Sequence, residues 1–116
     1  MIKISCEKKE NVIIRLTVKG HAYYAEESKD IVCASVSSMV ICSVNAIISI
    51  DENALSYSID DGFIDVSNIK DDNITQKIIN NLFNMLKELE AEYPKNIKIK
   101  EWNYETYFFK YPIICS

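Results

Sequence analysis

The sequence predicts an α+β fold of two layers, in the element order β-β-α-β-β-α-β, with two helices on one face of a mixed, mostly antiparallel sheet. Three observations predict it. Two alternating apolar runs open the chain. An uncharged stretch from Ile31 to Ile50 and an amphipathic one after Asn73 are each long enough to cross a sheet as a helix. Asp61-Gly62 marks a tight hairpin between two further strand-like runs. Elements of this kind bury their apolar faces best as packed layers.

In chain order, Ile2, Ile4 and Cys6 alternate with Lys3 and Ser5, and Val12, Ile14, Leu16 and Val18 alternate with Ile13, Arg15, Thr17 and Lys19. That is the pattern of two half-buried strands. The polar stretch Glu7 to Asn11 supplies the turn between them, so the pair is expected to be antiparallel. Gly20 ends the second strand. Its missing Cβ serves either an ordinary turn or a close backbone approach that swings His21 off the sheet edge.

Ala22 to Lys29, with Tyr23, Tyr24, Glu26 and Glu27, reads either as a cover that orders on substrate or as a helical turn packed on the sheet. Asp30 has the chemistry of an N-cap, which would start the helix at Ile31 and put Cys33 in its first turn. Free N–H groups and the helix dipole there favour a thiolate. Ser37, four residues on, shares the face of Cys33 and serves as a hydrogen-bonding neighbour of the thiol or as a small packing residue.

By length alone Ile31 to Ile50 is a membrane-span candidate. Its serines, Asn45, flanking Asp30 and Asp51, and lack of a basic cluster point instead to a buried helix and no membrane partner. Such a helix needs cover on more than one side, from a second helix or a partner subunit. Cys42 reads as an inert core thiol.

Leu55, Tyr57 and Ile59 fall on one face of a strand over Ala54 to Asp60, and Phe63 to Ser67 returns beside it. Asn73 and Gln76 have the spacing of a capping box. Ile74, Ile78, Leu82, Met85, Leu86 and Leu89 form the apolar stripe of a helix that Pro94 stops, with Gln76, Lys77, Asn80, Asn84, Lys87 and Glu88 on its solvated side. Ile97 and Ile99 begin a fifth strand. The aromatic tail from Trp102 to Ser116 suits an added edge strand or a dimer contact. Its Tyr107-Phe108-Phe109-Lys110 is read as a flank of that strand or as a weak inhibitor in a substrate groove.

At 116 residues, 48% apolar and 26% charged, the chain fits one domain over residues 1–116. Its net charge of −4 and pI near 5.0 argue against a general nucleic-acid binder, so no direct nucleic-acid partner is expected and a basic target segment is. Cys6, Cys33, Cys42 and Cys115 form no CxxC pair, and His21 is the only histidine, so neither a metal nor a cofactor is expected. The strand-like start at Met1 lacks the apolar core of a signal peptide, which predicts a cytoplasmic protein with reduced thiols.

His21 and Cys33 are the candidate reactive groups. A cysteine nucleophile attacks as its anion and needs a neighbouring base to form it and to return the proton. The ordinary alternative is a solvated turn histidine and a small core cysteine. Gly20-His21-Ala22, followed by Asp30-Ile31-Val32-Cys33-Ala34 and then Val36-Ser37, resembles the signature of the ribosomal-processing cysteine protease family, Prp.

The resemblance implies a small α+β homodimer that removes a short N-terminal extension from a large-subunit ribosomal protein, cutting after an aromatic pair. It assigns His21 as general base and Cys33 as nucleophile of a dyad. Gly20, Ala22, Asp30, Ala34 and Ser37 match motif positions around them, and Tyr23 and Tyr24 fall where substrate contact is expected. Ser28-Lys29 departs from the pattern, which has a glycine shortly before the Asp-Ile-Val-Cys segment. Three other classes fit the same residues: a non-catalytic ribosome-assembly module, a thiol redox sensor, and a homodimeric interaction domain.

Overall fold

The computed structural model describes residues 1–20 and 27–104, and of residues 27–30 the backbone alone. Five strands and two helices follow in the expected order: β1 (Ile2–Lys9), β2 (Val12–Lys19), α1 (Glu27–Ile50), β3 (Ser56–Asp60), β4 (Phe63–Ser67), α2 (Asn73–Glu92) and β5 (Ile97–Tyr104). The sheet order is β3-β4-β2-β1-β5. Neighbouring strands are antiparallel except β1 and β5, which run parallel with Ile2 opposite Ile97. One sheet face carries Ile4, Cys6, Leu16, Val66 and Ile97 into a core shared with both helices. The other carries Lys3, Ser5, Thr17, Lys19, Lys98 and Lys100, none of them buried.

The first hairpin is tighter than the sequence suggests. Glu7, Lys8 and Lys9 belong to β1, and the turn is Glu10 and Asn11 alone, at φ of 50° and 67°. Two consecutive left-handed residues match the twist of antiparallel strands. Within the pair the register shifts: Glu7 lies opposite Arg15 but Lys8 opposite Ile13, leaving Ile14 as an inserted residue. The insertion reverses the expected alternation, so that Ile13 is buried and Ile14 only half-buried.

Gln76 closes that bulge. Its Oε1 accepts from the Ile13 N–H at 3.1 Å, and its Nε2 donates to the Ile13 carbonyl at 2.9 Å. It is therefore neither the partner in a capping box nor a solvated residue. The N-cap of α2 is Asp72, which accepts from the Thr75 N–H at 2.8 Å and the Thr75 hydroxyl at 2.9 Å. These bonds hold its carboxyl below the usual carboxylate range. The buried stripe of α2 is Thr75, Ile79, Leu82, Phe83 and Leu86, while Ile74 and Met85 are exposed.

α1 starts four residues before the expected Ile31, so Asp30 lies inside the helix and is not its N-cap. Val32, Val36, Val40, Val44 and Ile47 recur at helical spacing and are buried. The stretch Ile31–Ile50 has mean hydropathy 2.1 and the length to cross a membrane, and only 28% of that window is buried, so α1 is covered on its valine face and is not the helix buried on several sides that the sequence suggests. Cys42, expected in the core, is exposed. β3 begins at Ser56 rather than Ala54, and on this edge strand Tyr57 and Ile59 are half exposed. Trp102 to Tyr104 complete β5; the rest of the tail, with Phe108, Phe109 and Cys115, lies outside the described residues.

Among the described residues, charge enters the core at one place. The buried Glu101 carboxylate pairs with Lys8 and lies 3.9 Å from the Lys87 ammonium, and both lysines face the Phe83 ring, at 5.5 and 4.5 Å from its centroid. Close by in the same core, burial pushes the Cys6 thiol up from 9.0 to about 12. Because the unfolded thiol ionises first, this contribution to stability is complete below pH 9 and is lost as pH rises toward 12. Cys6→Ala is therefore expected to lose less stability than the unsubstituted protein as the pH rises through that window. Urea midpoints on either side of the ordinary thiol pKa measure it, and identical losses would contradict the assignment.

Candidate active site

Cys33 lines a cleft of about 340 Å³ between α1, the end of β2 and the β3–β4 hairpin. Its α1 wall is Cys33, Ser37 and Ile41, three residues spaced one turn apart. The facing wall is the hairpin from Ile59 through Asp60, Asp61 and Gly62 to Phe63, and Val18 and Gly20 contribute from β2. Cys33 is half-buried and packs against the core, with its neighbour Val32 fully buried. A nucleophile needs this combination of fixed backbone and open access.

Gly20 fixes how the cleft is joined. Its φ is 110°, and a Cβ placed on it would lie 2.3 Å from the Met1 carbonyl oxygen. Its N–H donates to the Gly62 carbonyl at 3.0 Å. Of the expectations for this glycine, the close backbone approach is present, at a positive φ that other residues rarely adopt; the placing of His21 lies outside the described residues. The hairpin tip is hydrogen-bonded to the residue immediately before His21.

Of the sequence-predicted site residues, the structure brings Gly20, Cys33 and Ser37 to this one cleft. Ala34 is exposed and lines none of it. His21, Ala22, Tyr23 and Tyr24 lie outside the described residues, as does the cover expected over Ala22 to Lys29, except that Glu27, Ser28 and Lys29 are helical. With α1 beginning at Glu27, Cys33 sits in the second turn rather than the first. The free amides and dipole of a helix start act within the first turn, so they do not supply the thiolate activation expected of them.

Sequence reasoning missed the hairpin wall. Asp61-Gly62 signalled a turn, but nothing local says that a turn thirty residues downstream faces Cys33; only the β2–β4 pairing, Lys19 opposite Phe63, does so. Among the described residues no group of acidic, histidine or cysteine side chains is arranged to hold a metal ion.

The cysteine protease Prp family matches residues 1–98, which include the whole of the cleft. The chain belongs to that family. It is 31% identical over 93 residues to the ribosomal processing cysteine protease Prp of Staphylococcus aureus, covering 78% of this chain and 88% of that one. The crystal structure of the Staphylococcus aureus Prp with a substrate peptide superposes with a TM-score of 0.80 at 27% identity, covering 87% of this chain and 99% of that one. The same enzyme with a covalently linked product peptide gives 0.78 at 28%, with the same coverage. The α+β arrangement of a mixed sheet and two helices is thus that of Prp.

Gly20→Ala is expected to lower stability by about 2–4 kcal/mol, since left-handed strain adds to a backbone overlap. Chemical denaturation measures it. An unchanged midpoint would show that the junction between β2 and the hairpin relaxes freely.

Proposed function

We propose that this ribosomal processing cysteine protease removes a short N-terminal extension from a large-subunit ribosomal protein, cutting after a pair of aromatic residues. Cys33 is the nucleophile and His21 the general base. The observation that carries the reading is the half-buried Cys33 thiol in an open cleft beside Gly20, the residue before the only histidine. The Staphylococcus aureus relative with a covalently linked product peptide supports a covalent intermediate. Ile41, Ile59 and Phe63 give the cleft apolar walls for an aromatic side chain, and its volume is at the small end of the ~300–1,000 Å³ typical of ligand pockets.

The chemistry is acyl transfer. His21 accepts the Cys33 proton, and the thiolate adds to the scissile carbonyl. The tetrahedral adduct collapses to a thioester as the leaving amine takes the proton from the imidazole. Water, deprotonated by His21, then releases the carboxylate and restores the thiol. The described thiols Cys6, Cys33 and Cys42 are all free, in keeping with a cytoplasmic enzyme.

Cys33→Ala is expected to abolish cleavage of a basic peptide with an internal Phe-Phe while leaving the fold intact, and Cys33→Ser to be nearly inactive because a hydroxyl ionises far less readily. His21→Ala should slow cleavage by about 10²–10⁴, with partial recovery at high pH where the thiol ionises unaided. Undiminished cleavage by purified Cys33→Ala would end the reading. The intact mass of the target ribosomal protein, with and without this enzyme in the same cells, tests the substrate.

The working form we propose is a homodimer through α1. The helix face opposite its valines is uncharged from Ile31 to Ile50, with Ile31 57% and Ile50 59% exposed, and Tyr57 of β3 adds further exposed apolar surface outside the Cys33 cleft. Ile31→Lys is expected to shift the protein from dimer to monomer in sedimentation analysis. A monomeric unsubstituted protein would exclude this interface.

A further inference from the structure

We infer that the open face of the sheet is a binding site for single-stranded RNA. The register aligns Lys98 of β5, Lys3 of β1 and Lys19 of β2 as direct cross-strand partners, with Lys100 two residues along β5. Strands lie about 4.8 Å apart, so three ammonium groups cross the sheet in roughly 10 Å. These four lysines and Met1 line one hollow of about 440 Å³. Like charges placed opposite one another oppose pairing, and here three do so in a chain whose net charge is −4.

The carboxylates on this face do not neutralise them. Asp65 is held by Arg15 in a two-bond pair at 2.9 Å, and Glu7 accepts from the Tyr104 hydroxyl at 2.8 Å. Asp60 stands at the far end of the lysine row, beyond Phe63. With Arg15 matched by Asp65, the four lysines still outnumber Glu7 and Asp60, so this face is net positive although the chain's net charge is −4.

Aromatic rings adjoin the lysines and decide the class of anion. A second hollow of about 550 Å³ shares Ser5, Thr17 and Lys19 with the first and adds Phe63, Trp102 and Tyr104 together with Arg15 and Glu7. Lys19 lies 5.6 Å from the Phe63 centroid. A basic track beside rings on a strand surface suits unpaired bases, which stack on aromatic side chains while the backbone follows the cations; a double helix hides those faces. An acidic polypeptide would use the lysines and leave the rings idle. Phe63 also borders the Cys33 cleft, so RNA on this face would lie next to the site of cleavage. The inference rests on none of the protease chemistry.

Fluorescence anisotropy with a labelled single-stranded RNA of about 12 nucleotides tests it without any cleavage readout. With four lysines engaged, Kd is expected to rise about 50-fold between about 50 and 200 mM salt. Lys98→Gln and Lys100→Gln, both at exposed positions, should each reduce the log–log salt slope by about 0.7. Trp102→Ala should weaken binding roughly tenfold with the slope unchanged. Absence of binding by the full chain, binding unaffected by the lysine variants, or displacement by polyglutamate as effective as by unlabelled RNA would each overturn the proposal.

Discussion

The Cys33 cleft depends on one close approach, the passage of the Gly20 backbone under the Met1 carbonyl. No other residue fits there, because any Cβ would lie inside that oxygen's contact radius. The same residue donates to Gly62, so the start of β1, the end of β2 and the tip of the β3–β4 hairpin meet at one point. The Cys33 wall of α1 faces this junction. Among the described residues, the wall facing Cys33 is held in place by the pairing of β2 with β4 and by the Gly20–Gly62 hydrogen bond.

Much of the fold was legible because its signals are local. Alternation, the Asp61-Gly62 turn and the helical stripe each report on a few neighbouring residues, and all seven elements follow from them. The errors arose where two local signals compete. Acidic residues suit both a cap and a first helical turn, so Asp30 was read as the cap of a helix that in fact begins at Glu27. Val12, Ile13 and Ile14 are all apolar, so alternation could not show which of them is the inserted residue. Asp72 and Asn73 are both competent caps, and the choice between them depends on Gln76, which is drawn away to Ile13.

The site was legible only in part, for a related reason. Cys33, Gly20 and Ser37 belong to a contiguous motif, whereas Ile59, Asp60 and Phe63 reach the cleft through strand pairing that no short window contains. The Lys98, Lys3 and Lys19 row was invisible for the same cause. Each lysine alone is an ordinary solvated residue of an alternating strand, and only the parallel β1–β5 register sets them side by side. Net charge, a sum over the whole chain, hid the concentration on one face.

That parallel pair also bears on how the protein is made. β1 is synthesised first and β5 last among the described strands, yet they are neighbours. A nascent chain can form the β1–β2 hairpin early, but the other edge of β1 stays open until β5 has been translated. Closing so long a loop is entropically costly, and an unpaired edge invites foreign strands in the meantime. The lysines of β1 and β5 suit that interval, since charged edges discourage mispairing while the chain waits for its final strand.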